Sequence, residues 1–364
     1  RAGERRGELR GAATMNATIT RSRPLAQSTT GMDATARKSG GPAPLFTARF
    51  ARGYIITMRP YLLFVSGITG IAGLALASSV SLAAALALGV VFFLSYGFGQ
   101  ALTDCFQIDT DTLSAPYRPL VRGEIGVRNV MLVSLVGLLV SGAVLMLFNP
   151  WNLLLAGLAI VGLATYTPFK RRWWAGPFYN AWIVGVLALI GYASGLGSDG
   201  ATPQASTALV GTLLCVFFGY ANFVLTGYYK DVSADRATGY NTLPVVFGLR
   251  ISAWISDTFA LLALAGTAMA IHAALARAEL VPGHDVALIF LTAGAAASAI
   301  AQYRLHRIEG EIDAHRAIAP VVHAYILMLS AVAAAVKPAW ASSLVIIYIG
   351  FLCVMQRRPM KAQI

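Results

Sequence analysis

Three aspartates, Asp104, Asp109 and Asp111, lie close together where a long apolar run ends. Carboxylates beside a membrane span are unfavourable unless they face a cavity, pair with a cation or bind a metal. Asp104, Gln107 and Asp111 are spaced three and four residues apart, so a continuous helix would place them on one face. Oxygen ligands on one face suit Mg²⁺, because substrate phosphates and water can complete the coordination shell of the ion. This first acidic stretch, residues 103–123, therefore predicts half of a magnesium site.

Arg118 follows within the sequence Pro116-Tyr117-Arg118-Pro119, where the prolines restrict the backbone. A guanidinium held in such a turn can bind a phosphate through two hydrogen bonds. The alternative is a solvated loop whose charges only set the membrane topology. The first stretch alone does not decide between these two interpretations.

A second acidic stretch, residues 230–248, follows a later apolar run. Asp231 and Asp235 are four residues apart and share a helical face, with Lys230 and Arg236 beside them. Two Asp pairs that face one cavity would hold two Mg²⁺ ions around a diphosphate and neutralise charge on its leaving group. The predicted metal ligands are Asp104, Gln107, Asp111, Asp231 and Asp235.

Further candidates lie in and beside other apolar runs. Tyr166 and Lys170 are four residues apart and can reach diphosphate oxygens from one helical face, or they can be an interfacial aromatic and a topogenic cation. The functional interpretation is favoured for Lys170, and both stay open for Tyr166. An amide within a span, such as Asn180, more often joins helices than binds a ligand. Arg59, near the start of the first span, is expected to extend towards the membrane interface.

The elements that must position these residues are membrane-spanning helices. The 364 residues are 57% hydrophobic and only 12% charged, whereas soluble proteins average about 25% charged residues. Lipid-exposed backbone must be satisfied within helices, so the apolar runs predict an all-α, polytopic bundle of nine to ten spans. Ten apolar segments recur, at 54–78, 81–103, 127–148, 151–168, 176–197, 206–229, 251–275, 285–303, 317–336 and 339–356.

The N-terminal residues 1–52 differ from the membrane domain at 53–364. They contain ten Lys and Arg residues against three acidic ones and lack periodicity. We expect a disordered basic tail that contacts anionic lipid rather than nucleic acid, with a transit peptide as the alternative. Cations are concentrated in the connections on one side of the spans, which predicts that both acidic stretches lie on the cytoplasmic face, or on the stromal face that is equivalent to it.

Other kinds of site have no support in the sequence. The three cysteines, Cys105, Cys215 and Cys353, have no disulfide or zinc spacing. The five histidines show no metal spacing, and His323 within a span is expected to be a packing residue. There is no P-loop, dinucleotide fingerprint or serine nucleophile elbow.

Together these residues resemble the UbiA superfamily of intramembrane prenyltransferases, over about residues 50 to 330. The family's first motif, N-D-x-x-D-x-x-x-D with a following Pro-x-Arg-Pro, is similar to residues 103–111 and 116–119. Its second motif is similar to residues 230–236. The continuation Thr242-Leu243-Pro244-Val245, with PYRPL, is closest to the chlorophyll synthase branch. Further matches are Tyr166 and Lys170 in a Tyr-x-x-x-Lys element, Asn180, and Arg59-Pro60 in the first span.

The resemblance implies a helical bundle around a lipid-open cavity and a Mg²⁺-dependent transfer. A prenyl group would pass from a prenyl diphosphate to a lipophilic acceptor, aromatic or tetrapyrrole-like, and diphosphate would leave. The implied partners are these two substrates and membrane lipid. The implied catalytic residues are Asp104, Asp111, Asp231, Asp235, Arg118 and Lys170. The implied diphosphate contacts are Arg118, Tyr166, Lys170, Lys230, Asn180 and Arg236.

The sequence departs from the family pattern at three positions. Thr103 replaces Asn, Gln107 replaces Asp, and Tyr228 stands where an acidic residue is usual. The altered first motif keeps a second function open, a membrane terpene cyclase of the same fold in which the substrate's own double bond attacks. A transporter is disfavoured, because it would place charges at the midplane of spans rather than at their ends.

Overall fold

The computed structural model describes residues 41–77, 80–276 and 281–357, and their regular structure is helical, as predicted. Short 3₁₀ turns at Pro60–Leu62, Glu311–Asp313 and Pro338–Trp340 lead into later helices. The α-helices are α1 (Ala48–Met58), α2 (Leu63–Ala75), α3 (Leu82–Asp104), α4 (Ile108–Ser114), α5 (Val127–Phe148), α6 (Trp151–Arg172), α7 (Gly176–Gly195), α8 (Thr207–Tyr228), α9 (Val232–Ala237), α10 (Leu243–Leu275), α11 (His284–Leu305), α12 (His315–Val336) and α13 (Ala341–Gln356).

Nine helices in the described ranges are long and apolar enough to span a membrane. The α1–α2 pair, bent by 45°, would be a tenth span, so the predicted nine to ten spans are confirmed. The bend lies at Arg59, whose backbone is left-handed (φ 54°, ψ 72°). Its cause is Pro60, which lacks an N–H and disfavours helical backbone at the preceding residue.

Helix α12 forms the centre of the bundle. Most of its residues are buried, and it packs against α2, α8, α10 and α11. Four of its last six residues are alanines, so neighbouring helices can approach its backbone closely there. The hydroxyls of Tyr325 in α12 and Thr69 in α2 lie 2.7 Å apart, a buried polar contact that fixes the two helices against each other.

Glycines allow α2 and α7 to touch along their backbones. A Cβ added to Gly191 would lie 2.2 Å from the carbonyl oxygen of Gly70, and one added to Gly73 would lie 2.0 Å from that of Ala188. Neither position can hold a side chain without moving a helix. These glycines therefore allow the close backbone contact between α2 and α7.

The described part of the chain begins inside the range that the sequence assigned to the tail. Residues 1–40 of that predicted tail lie outside the described residues. From there, the N–H of Ala43 donates to the carbonyl of Glu124, and α1 begins at Ala48 behind an N-cap formed by Thr47. Residues 41–52 therefore contact the loop that follows the first acidic stretch.

Candidate functional site

The two acidic stretches meet at one end of the bundle. The first forms α4, directly after span α3, and the second forms α9, directly after span α8. The hydroxyls of Thr110 in α4 and Thr238 beyond α9 lie 3.0 Å apart. Arg171 at the end of α6 contacts both stretches, with Nη2 2.5 Å from Asp109 Oδ2 and 3.0 Å from the Tyr240 hydroxyl. The end of α6 and the segments that follow spans α3 and α8 are thereby joined at one end of the bundle, which we call the mouth of the site.

A cavity of about 250 Å³ extends from this mouth into the bundle. One end is polar, and much of the remaining wall is aliphatic, with Leu62, Leu138, Leu163 and Val184 among its residues. The predicted site residues in its wall are Asp104, Gln107, Asp111, Arg118, Tyr166, Lys170, Asn180, Lys230 and Asp231. The fold thus brings together residues from four separate parts of the sequence.

Asp104 is surrounded by donors. Nη2 of Arg59 lies 3.0 Å from both of its carboxylate oxygens, and Gln100 donates from Nε2 to Oδ1 at 2.6 Å. Arg118 lies 3.8 Å from Oδ1 and also pairs with Asp111. The expectation that Arg59 extends to the interface is wrong, because the break before Pro60 turns its side chain towards the cavity. An arginine directly before a proline in a span was the available signal.

The first acidic stretch is not one helical face, so that prediction is wrong. Helix α3 ends at Asp104, and Gln107 is the N-cap of α4 with non-helical backbone (φ −121°). Arg118, rather than helical spacing, links Asp104 to Asp111. Burial raises the pKa of the Asp111 carboxyl, against the opposite effect of the Arg118 guanidinium. The Gln107 amide donates to Thr167 at 3.2 Å.

The second half of the site is built around Lys170. Its Nζ lies 3.3 Å from Oδ1 of Asp235, whose Oδ2 accepts a hydrogen bond from Thr242 at 3.1 Å. The ammonium also lies 4.7 Å from the ring centre of Tyr228 and 4.8 Å from that of Tyr240, where the faces of both rings attract it. Burial raises the pKa of the Asp235 carboxyl to about 6, although Lys170 favours the charged form.

Asp231 and Asp235 do not share a cavity face, contrary to prediction. Asp231 is the N-cap of α9, with non-helical backbone (φ −118°), and lines the cavity. Asp235 is fully buried beneath Lys170 and is not among the described residues of the cavity wall. Lys230 Nζ lies 3.9 Å from Asp231, and burial lowers the pKa of this ammonium. Arg236 is exposed and also lies outside that wall.

Tyr228, which stands where an acidic residue is usual, is a site residue that the motifs did not predict. Its hydroxyl lies 2.7 Å from that of Tyr166, and both rings line the cavity. Asn180 also lines the cavity and does not act only between helices. Asn222 is instead buried and accepts a hydrogen bond from Ser256 at 2.5 Å, as expected of an amide that joins helices.

The charges of the site alternate in sign. In the described residues, no three Asp, Glu, His or Cys side chains come close enough to hold a metal by themselves. Each of these carboxylates is paired with a cation instead. Arg59 and Arg118 face the carboxylates of the first stretch, and Lys170 and Lys230 face those of the second. Such an array can bind a ligand that carries several negative charges together with cations of its own.

Comparisons with known proteins agree with this architecture. The model of the UbiA prenyltransferase family matches residues 63–319. Two relatives are named digeranylgeranylglyceryl phosphate synthase. The one from Thermococcus kodakarensis is 29% identical over 61% of this chain and 78% of its own length. The one from Natronomonas pharaonis is 31% identical over 58% of this chain and 75% of its own length.

Solved structures show the same fold. A UbiA homologue from Aeropyrum pernix K1 has a TM-score of 0.60 at 18% identity, over 80% of this chain and 98% of its own. A UbiA homologue from Archaeoglobus fulgidus, bound to DMAPP and Mg²⁺, has a TM-score of 0.56 at 20% identity, over 78% and 99%. With the matching family model and the shared fold, the chain belongs to the UbiA prenyltransferase family of integral membrane enzymes.

Proposed function

We propose that this enzyme transfers a prenyl group from a prenyl diphosphate to a lipophilic acceptor in a Mg²⁺-dependent reaction, with release of diphosphate. The observation that carries the proposal is that one cavity has both a charged end and an aliphatic remainder. A prenyl diphosphate has the same division into a charged head and an apolar chain. The relatives named as synthases and the homologue bound to DMAPP and Mg²⁺ support this assignment.

The residues present fit Mg²⁺. The cavity offers three carboxylates, Asp104, Asp111 and Asp231, and the amide oxygen of Gln107, all hard oxygen donors. Mg²⁺ is usually held by one or two carboxylates with water and substrate phosphates, so no ready-made cage is needed. When bound, the metal would neutralise charge on the departing diphosphate. Asp235, which faces Lys170, would support the site indirectly.

The cations of the chain would bind the diphosphate head. Arg118 in the first stretch and Lys170 at the end of α6 both line the cavity, so both could contact the oxygens of a diphosphate bound there. Lys230 would add a third cation. As the carbon–oxygen bond breaks, these groups would stabilise the charge that develops on the leaving diphosphate. The aromatic and aliphatic wall of the cavity would shield the allylic cation that this cleavage leaves on the prenyl group.

The acceptor is proposed only as a lipophilic molecule that reaches the same cavity. An aromatic or tetrapyrrole-like acceptor stays our prediction from the motifs. The relatives named digeranylgeranylglyceryl phosphate synthase favour including a prenylated glyceryl phosphate among the candidates. The prediction of a chlorophyll synthase-like branch has no support among the relatives described above.

The test is to incubate membranes that contain the protein with Mg²⁺, prenyl diphosphates of several lengths and each class of acceptor. Products would be identified by mass. A prenylated acceptor formed only with Mg²⁺ supports the proposal. A cyclised hydrocarbon formed without any acceptor would establish the cyclase function instead. Turnover that persists after chelation of divalent ions contradicts the metal requirement.

We further propose that the mouth of the site faces the cytoplasm. The connections around it carry clustered cations, including Lys170, Arg171 and Arg172, as expected for cytoplasmic loops. The orientation can be tested in Cys353→Ala protein, since Cys353 is the exposed cysteine of the described residues. A cysteine at exposed position Thr112 should react only with a cytoplasmic reagent, and one at Asp199 only with an external reagent. The reverse pattern refutes the orientation.

A further inference from the structure

The turn between α11 and α12 reaches the second acidic stretch. Both carboxylate oxygens of Glu311 in this turn accept hydrogen bonds from Ser233, Oε1 from the backbone N–H and Oε2 from the hydroxyl at 2.7 Å. Ser233 is the second residue of α9, where an N–H has no partner within its own helix. The N-cap side chain, Asp231, makes no capping bond. A distant carboxylate therefore performs the capping that an N-cap residue usually provides.

We propose that Glu311 is a positioning residue that holds α9 so that Asp231 points into the cavity. The six residues of α9, Val232–Ala237, are too few for a helix that is stable alone. Contacts from outside must fix it, and they act at both ends. Thr110 holds the C-terminal end through Thr238, and Glu311 holds the N-terminal end. The capping itself follows from these contacts, and its effect on catalysis rests on the proposed function.

Because the hydrogen bonds of Glu311 are exposed, its loss should affect the position of α9 more than the stability of the whole protein. Glu311 lines a cleft of about 510 Å³ that also includes His315, Lys230 and Asp231. Its hydrogen bonds with Ser233 are exposed. Exposed hydrogen bonds contribute little to the global free energy of unfolding, whereas a lost cap frees the first helical turn locally. Removal of the carboxylate should therefore alter the use of Mg²⁺ more than it alters folding.

The experiment compares Glu311→Ala and Glu311→Gln with Asp313→Ala in the full chain, in lipid nanodiscs. Asp313 is a matched control from the same turn, where it pairs with Arg316 at 3.3 Å. Backbone hydrogen exchange of residues 231–237 is measured without Mg²⁺. Glu311→Ala should accelerate this exchange about tenfold. Glu311→Gln should show an intermediate effect, and Asp313→Ala none.

The second readout is the rate of prenyl transfer as a function of Mg²⁺ concentration. Glu311→Ala should raise the half-saturating Mg²⁺ concentration about tenfold and keep most of the rate at saturating Mg²⁺. Equal exchange in Glu311→Ala and Asp313→Ala overturns the proposal, and so does an unchanged Mg²⁺ dependence in an active enzyme. Because exchange needs no turnover, inactivity of every form would refute the proposed function while the exchange data still decide the role of Glu311.

Discussion

The guanidinium of Arg59 faces the carboxylate of Asp104, with one nitrogen 3.0 Å from both oxygens. Arg59 lies at the break between α1 and α2, and Asp104 is the last residue of α3. Both side chains are largely buried. Two buried charges fix each other's position, and loss of one leaves the other without compensation. Asp104, which we propose as a metal ligand, is thus held by the bend in the first span.

Replacing Arg59 should destabilise the protein. Arg59→Leu leaves Asp104 buried without its closest cation, which should lower the free energy of unfolding by about 3 kcal/mol. The double variant Arg59→Leu, Asp104→Asn should regain much of this stability but remain inactive, because the carboxylate is lost. Thermal unfolding in detergent and Mg²⁺-dependent transfer are the measurements. A melting temperature of Arg59→Leu equal to that of the unchanged protein contradicts the prediction.

The two aspartates of the second stretch should respond differently to substitution. Asp231 lines the cavity, so Asp231→Asn should chiefly raise the Mg²⁺ concentration needed for half-maximal rate. Asp235 orients Lys170, so Asp235→Asn should chiefly raise KM for the prenyl diphosphate. Titrations of rate against Mg²⁺ and against prenyl diphosphate separate the effects. Identical changes in both variants would show that the two carboxylates act in the same way.

Lys170 should contribute strongly to binding of the diphosphate. Lys170→Met keeps the length of the side chain but removes the charge between the rings of Tyr228 and Tyr240. A charged hydrogen bond in a buried site is worth about 1.5–3 kcal/mol, so kcat/KM should fall about tenfold to a hundredfold. The matched control is Arg172→Met, an exposed cation at the end of the same helix. An equal loss in both variants would attribute the effect to general charge.

Two glycines of α7 should respond in opposite directions to an added methyl group. Gly191→Ala places Cβ against the backbone of α2, which should destabilise the protein by about 1–3 kcal/mol. A Cβ at Gly185 meets no atom within 4 Å, so Gly185→Ala should be neutral or stabilise by up to about 1 kcal/mol. Thermal unfolding of both variants is the measurement. Equal stability of the two variants would exclude a tight α2–α7 contact.

Most of the membrane architecture could be predicted from the sequence. Lipid requires apolar side chains over about 20 residues and satisfied backbone groups, so the apolar runs locate the helices to within a few residues. There are two exceptions. The first span begins at Ala48 rather than near 54 and breaks at Arg59, and α10 starts at Leu243 rather than near 251 and contains a kink at Gly248. Residues 243–249 are apolar, but Pro244 and Gly248 signal a helix boundary, so these turns were assigned to the second acidic stretch instead.

The sequence predicts most of the residues that form the site, but not which cation pairs with which carboxylate. The two acidic stretches and Lys170 were predicted, and the structure brings them to one cavity. The prediction that each stretch presents one helical face was wrong, because both stretches leave the helical conformation at an aspartate or just after it. Which cation faces which carboxylate depends on the tertiary fold. Spacing along the sequence carries no information about the contact of Arg59 with Asp104.

The central place of α12 has a consequence for biosynthesis. A chain that is inserted as it is translated brings α2, α8 and α10 into the membrane well before residues 315–336 leave the ribosome. Until then, Thr69 in α2 lacks Tyr325, with which it pairs in the finished protein. Assembly can be completed only near the end of synthesis. A chain truncated before α12 would leave inserted helices without a centre, which membrane quality control would recognise as unassembled.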